Sequence, residues 1–411
     1  TTKKTKQPYS VNEKKCEKEK HVETEITKTI KNHPPLNTHP PIYIEGNKDF
    51  TTENGVTSGS GSASDPYIIK KWIIDASTTT GIVIKNVTTH FIIKDCIIYG
   101  GKYTNKPPGF LNDGIQIINA ENGNIQKCIL IENGVGIKLK HTRNIAVEDV
   151  EISNNDFGLL IIKSSQINIK KSNINDNIDN IKIIASNSLS ISECSIDSGF
   201  LSGIRAAYSS SIKIKNCTIT DTKHLPRPIG IILYSSTHSI ISDCIIKGFS
   251  YYGIVFSEGF NSKPFQNLVI NCDISKCTFS GIAIYGVSND VSQENKIVCC
   301  HIHKNIVGIS IFKAKENHIT YCAIYNNNIG INILNPKPSP KRNYIINNNI
   351  YQNEKGILGL LTHADMRHNW WGSVFGPSIT SIQAKLTGGD RITLLLSHTR
   401  YRPYSLKPHK I

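Results

Sequence analysis

The chain has 411 residues, 38% hydrophobic and 19% charged, enough for one large domain or two ordinary ones with a sizeable core. No apolar run approaches the ~18–20 residues of a membrane-spanning helix, which excludes an integral helical membrane protein. Lys and Arg total 47 against 32 Asp and Glu, and the resulting charge of +15 favours acidic partners, while a single Met speaks against a methionine-rich copper site.

The first predicted element is an extended arm, residues 1–38, rich in Lys, Glu, Thr and Pro. The opening Thr1 suits an exported chain freed of its signal, or a cut fragment. Val22, Thr24, Ile26 and Ile30 share a parity, which predicts a strand near 21–30. Pro34, Pro35, Pro40 and Pro41 predict an extended linker. The arm is either a disordered leader or a segment that docks on another subunit.

From residue 39 to 372 the chain repeats. A glycine followed by an aliphatic residue recurs from Gly81-Ile82 through Gly114-Ile115, Gly136-Ile137 and Gly158-Leu159 to Gly356-Ile357, with Asn180-Ile181 filling one gap. The commonest spacing is 22 residues, and longer spacings are units carrying an inserted loop. Inside each unit the apolar positions alternate, as in Ile137 and Leu139, then Val147, then Val150 and Ile152. Period-two segments this short cannot be helices, and no such strand buries itself alone. Stacking like units gives every strand two neighbours, so the prediction is an all-β, single-stranded parallel β-solenoid of about twelve coils, some 55–60 Å long. The repeat glycines are expected at corners of positive φ, and Asn clusters such as Asn154-Asn155 and Asn326-Asn327-Asn328 at the other corners.

Eight of the eleven cysteines, Cys96 to Cys322, fall in one inward column and read as stacked buried hydrophobes. Cys16, Cys277 and Cys299 lie off it and are the disulfide candidates. Just before the column stand Asp95, Lys127, Asp149 and Lys171, whose alternating signs predict favourable stacked pairs. Carboxylates for a lyase or glycosidase are expected to be scattered over corners, at Asp113, Asp156, Asp176, Asp179, Asp197, Asp221 and Asp273, so no catalytic residue and no cofactor is assigned. His301 and His303, beside Cys299 and Cys300, are the most metal-like cluster, with a solvated pair on a strand as the simpler reading. Asn86-Val87-Thr88 and Asn216-Cys217-Thr218 are glycosylation sequons predicted to face outward. Long loops gather at two corners, 99–113 and 221–229 at one, 257–266, 286–296 and 334–343 at the other; loops on one edge of a solenoid commonly form its binding face. The last segment, residues 373–411, is expected to cap the solenoid and holds the apolar strand Ile392-Thr393-Leu394-Leu395-Leu396.

Residues Ile42-Tyr43-Ile44-Glu45-Gly46-Asn47, Gly59-Ser60-Gly61 and Ser64-Asp65-Pro66-Tyr67-Ile68-Ile69 resemble the opening of NosD-like right-handed parallel β-helix repeat proteins, of the pectin-lyase-like superfamily. Asn369-Trp370-Trp371-Gly372-Ser373 with Gly376-Pro377-Ser378 resembles their closing motif. The resemblance spans about residues 40–405, leaves 1–38 without a counterpart, and implies a right-handed solenoid that is secreted or on the cell surface. It implies no activity, since that family mixes sugar-active, copper-accessory and structural proteins. Two functions follow as expectations. One is a structural solenoid assembling head-to-tail with other copies through its arm; the alternative is a lyase, hydrolase or binder of acidic polysaccharides. No nucleic-acid recognition motif accompanies the positive charge.

Overall fold

The structure is a computed structural model describing residues 36–102, 111–259, 265–286, 293–335, 342–361, 363–395 and 398–411. The arm residues Val22, Thr24, Ile26 and Ile30, and Cys16, lie outside them. One coil shows how the sequence folds. Val135–Lys140, Arg143–Glu148 and Glu151–Ser153 form three short strands, and the next coil repeats them as Phe157–Ile162, Ser165–Lys170 and Asn173–Asn175. Register is kept without slip: Ile137 pairs with Leu159 and Leu159 with Ile181, all strands running parallel. The chain thus builds three parallel sheets along one axis, here called first, second and third in the order each coil enters them. Among the described residues the third sheet has 13 strands, from Asn37–Thr38 to Asn349–Tyr351. One antiparallel pairing, Val56–Ser58 with Tyr67–Lys70, sits at the N-terminal end.

The alternation explains the interior. Ile137, Leu139, Val147, Ile152 and their counterparts are wholly buried in a single core running the length of the rod. A slip of one residue would turn every one of them to solvent, so the pleat itself holds the register.

Corners are divided between two residues. The left-handed bend falls on an outward residue of almost any type: Asp95, Lys127, Asp149, Lys171 and Glu193 have φ of 54°, 48°, 56°, 50° and 56°. No ion pair within 4.0 Å links the first four among the described residues; Glu193 pairs with Lys170 at 3.4 Å. Lys127, Asp149 and Lys171 are exposed and Asp95 half-buried, so solvent screens the charges along this row. In Asn154-Asn155 and Asn326-Asn327 the first Asn takes the bend, with φ of 57° and 54°, and the second points inward. Asn155 Nδ2 donates to Leu130 O and Ser153 O at 3.1 and 2.9 Å, and its Oδ1 accepts from Asn133 N at 2.8 Å. Repeated coil upon coil, these bonds satisfy corner backbone groups that no sheet reaches.

The repeat glycines are not at positive φ, which corrects the expectation for them. Their reason is close stacking. A Cβ on Gly136 would lie 2.7 Å from Gly158 O and 2.6 Å from Ile152 Cγ2. The single Asn in this column compensates for its neighbour. Gly199 occupies the ladder position that an Asn fills in the coils below, and Asn180 extends into the vacated place: its Oδ1 accepts from Asn177 Nδ2 at 2.9 Å and its Nδ2 donates to Asp197 O at 3.0 Å.

The cysteine column is buried and its thiols are free. Cys128 Sγ donates to Gln126 O at 3.2 Å, and its neighbours make the same bond two residues back. Toward the C-terminal end the column passes into Asn348 and Asn369, which form another amide ladder. Stacking continues past residue 372: Ile392–Leu395 adds to Lys355–Leu360, and His398–Arg400 to His363–Asp365. The intervening cap holds a short helix, Ser381–Thr387, whose first turn is closed by Thr380 Oγ1 accepting from Gln383 N. Among the described residues no helix is long and apolar enough to cross a membrane.

Candidate functional site

The two loop-bearing corners bracket the first sheet. Residues 99–113 and 221–229 enter it from the third sheet, and 257–266 and 286–296 leave it for the second. Stretches 103–110, 260–264, 287–292 and 336–341 of these loops fall outside the described residues. The outward columns of the first sheet lie between these two corners and carry the chemistry.

One column reads Gln116, Lys138, Leu160, Lys182, Arg205, Ile232, Val255 and Ala283 in unbroken register. Its N-terminal half is cationic. Lys138 Nζ lies 3.2 Å from Asp113 Oδ2, which also accepts from Gln116 Nε2 at 2.9 Å. Burial pushes the Asp113 carboxyl up, and Lys138 opposes the shift. Asp179, almost fully buried, accepts from Ser202 Oγ at 2.5 Å and from Arg205 Nε at 3.3 Å, with Lys182 Nζ at 3.9 Å. Two cations share that one carboxylate, and Lys182 also sits over the Phe157 ring at 4.6 Å.

The C-terminal half of the face is aromatic. Tyr252 packs on Val255 and Ala283, its ring centroid 5.1 Å from Phe279 and 6.0 Å from Tyr285. The Tyr252 and Tyr285 hydroxyls meet at 2.5 Å, and burial pushes both phenols up. Tyr251 adds a ring 4.1 Å from Tyr252 and 5.3 Å from Phe279. Ile306, 47% exposed, follows Phe279 along the corner, and Leu201, 44% exposed, stands three coils nearer the N-terminal end. Sequence reasoning missed this platform, although each member stands at an outward position of the repeat.

Six acids expected to be scattered line up instead along the corner between the third and first sheets. Asp113 pairs with Lys138, Asp156 with Lys102 at 3.2 Å, and Asp176 with Lys223. Burial opposes ionisation of Asp197, but hydrogen bonds from Thr222, Thr220 and Ser198 hold its carboxyl below the usual range. Asp221 is pushed up by burial and accepts from Leu225 N at 3.0 Å, tying the 221–229 loop down. Each acid thus has an internal partner. Asp113 and Asp179 stand three coils apart, ~14 Å, whereas Asp176, Asp197 and Asp221 follow one another at one-coil steps of ~5 Å, the spacing of a retaining glycosidase pair.

The remaining candidates separate. His301 is exposed, whereas His303 stacks on Tyr325 at 4.8 Å and bonds Asp273 at 3.3 Å. Among the described residues no three His, Cys, Asp or Glu converge as a metal site. Cys277 is buried in the amide-ladder position, where burial pushes its thiol up to about 12, and Cys299 is partly exposed at a bend; both are free. Asn86 and Asn216 are exposed bend residues with φ of 55° and 53°.

Among solved structures, the chain is similar to the A-module of a mannuronan C-5 epimerase from Azotobacter vinelandii, at 11% identity and TM-score 0.42, covering 90% of this chain and 88% of that one. It is similar to the catalytic domain of a GH87 α-1,3-glucanase, at 12% identity and TM-score 0.47, covering 82% of this chain and 58% of that one. It is also similar to a surface adhesin of Streptococcus pneumoniae, at 12% identity and TM-score 0.36, covering 62% and 80%. No curated protein matches the sequence. The family model for the right-handed beta helix region matches residues 16–149, 113–263 and 229–370. The match begins at residue 16, inside the N-terminal segment 1–38. With most of its length matched and every coil in parallel register, the chain belongs to the right-handed β-helix family.

Proposed function

We propose that this is an exported β-helix protein that binds an acidic polysaccharide along the outer face of its first sheet. The observation that carries the reading is one column of that face, where Lys138, Lys182 and Arg205 run in register toward the Tyr251–Tyr252–Phe279–Tyr285 platform. A sugar ring offers a C–H face to an aromatic ring, and a uronate carboxylate suits a guanidinium. Arg205 bonds Asp179 through Nε, and a guanidinium has further donors to give a carboxylate. The charge of +15 adds long-range attraction for a polyanion. Export accords with the exposed sequons at Asn86 and Asn216. The test is titration of the full chain with oligogalacturonate and with oligomannuronate, against neutral dextran. Binding of an acidic oligomer, weakened at least tenfold by Tyr251→Ala with Lys182→Gln and weakened again by salt, is the expected result; dextran binding that the same pair of substitutions weakens equally, or no binding of either acidic oligomer, overturns the proposal. Unsaturated products in the same mixtures would extend the reading from binder to lyase.

A second reading, head-to-tail assembly through residues 1–38, is favoured by the apolar C-terminal cap. Phe375, Ile379, Ile382 and Leu386 are each more than 60% exposed there. Sedimentation of the full chain against one lacking residues 1–38 tests it: polymers from the first and monomers from the second support it, and a full chain monomeric at high concentration ends it.

A further inference from the structure

Along the outer face of the third sheet runs a stack of rings in strict register. His303, Tyr325 and Tyr351 are register partners, with centroids 4.8 and 5.1 Å apart and planes within 8°. No third-sheet strand follows Asn349–Tyr351 among the described residues. Trp370 bridges to Asn349 instead, and its ring lies 5.4 Å from Tyr351 but tilted by 49°. The chain then departs into the cap and returns through Gly388, Gly389, Asp390 and Arg391. Between that return and the end of the stack lies a cavity of about 450 Å³, within the size range of small-ligand sites.

We propose that this cavity binds the end of a neutral saccharide, whose ring continues the aromatic stack beyond Tyr351 and Trp370. The walls supply what a sugar needs. Two aromatic residues, Tyr351 and Trp370, line it. Glu354 and Arg391 line it too and bring acceptor and donor chemistry, so hydroxyls in either sense can find partners. Gly388 leaves the backbone open to a ligand: a Cβ placed there meets no atom within 4 Å. The lining holds two carboxyls, Glu354 and Asp390, against the one guanidinium of Arg391, so a uronate would meet more acidic than basic groups there and an uncharged sugar would not be repelled. The preference is opposite to that proposed for the first sheet, and the site rests on different residues, so the two stand or fall separately.

Saturation-transfer NMR of the full chain with methyl glycosides of glucose, galactose and mannose, and with methyl glucuronoside, tests the site. A neutral glycoside should give the signal and the glucuronoside a weaker one. Trp370→Ala should weaken binding at least tenfold, as should Ala384→Trp, which fills the cavity from the helix. Asn144→Ala, at an exposed bend outside both sites, should leave it unchanged. If Trp370→Ala does not fold, Ala384→Trp and Glu354→Gln carry the test. The proposal is overturned if no neutral glycoside binds, if the glucuronoside binds more tightly, or if filling the cavity changes nothing.

Discussion

At the scale of single residues, the fold depends on places where one atom too many would stop the coils from closing on each other. Gly136 is such a place. Its missing Cβ leaves room for the Gly158 carbonyl and the Ile152 methyl, and the same contact recurs at Gly281 and Gly308. Gly136→Ala should destabilise the protein by about 2 kcal/mol, read as a lower denaturant midpoint with unchanged slope, because neither neighbour can retreat from a packed ladder. Asp390 ends the amide ladder, where Asn353 Nδ2 donates to it at 2.7 Å. Burial raises its carboxyl to about 6, against hydrogen bonds from Asn353 that lower it. Since its folded value lies above the unfolded one, the native state holds the proton more tightly, and stability falls as pH rises from about 4 to 6. Asp390→Asn keeps the acceptor and removes the charge. The variant should exceed the parent in stability at pH 8, by up to about 3 kcal/mol, and lose most of that advantage by pH 4. Parallel melting curves at the two pH values decide it.

At the scale of columns, each ladder is a row of like residues doing one job in every coil. Asn155 serves two carbonyls of its own and the lower coil and one amide of the lower coil. Asn155→Ala leaves those groups buried without partners, at about 2–4 kcal/mol, more than an exposed Asn would cost. A fall in melting temperature no larger than that for Asn144→Ala, an exposed bend residue, would contradict the ladder's role. The cysteine column makes a different prediction. Its thiols are buried and already donate to carbonyls, and burial raises Cys128. A thiol reagent applied to native protein should modify Cys299 and spare Cys128, Cys194 and Cys272, as peptide mass spectrometry will show.

At the scale of the whole molecule, coils are stabilised mainly by neighbouring coils, so an interior defect breaks a continuous rod instead of one local contact. Ile152 is fully buried between Leu130 and Ile174. Ile152→Asp would place an unpaired charge in that rod and should yield insoluble or unfolded protein, whereas Ile152→Val should cost only about 1 kcal/mol. A soluble Asp variant with native circular dichroism would refute the inward assignment. The rod also explains why one face serves as a candidate site: loops can be inserted at corners without disturbing the registered strands, and two corners flank the same sheet.

The sequence by itself determined the solenoid, its register and its inward columns, because a period of two and a unit of 22 residues are properties of order along the chain. It placed Ile137, Ile152 and Cys128 inside, and put the two loop families at two corners. What it left undecided depends on residues one coil apart in space and more than twenty apart in sequence. The glycine column looked like a turn signal and is a contact between coils. The exchange of Asn180 and Gly199 looked like two lapses in the repeat and is one compensated site. Acids that seem scattered, from Asp113 to Asp221, share one corner and find Lys102, Lys138, Lys223 and Arg205 across it. The platform of Tyr251, Tyr252, Phe279 and Tyr285 arises because parallel stacking sets successive coils about 4.8 Å apart, within the contact distance of ring against ring.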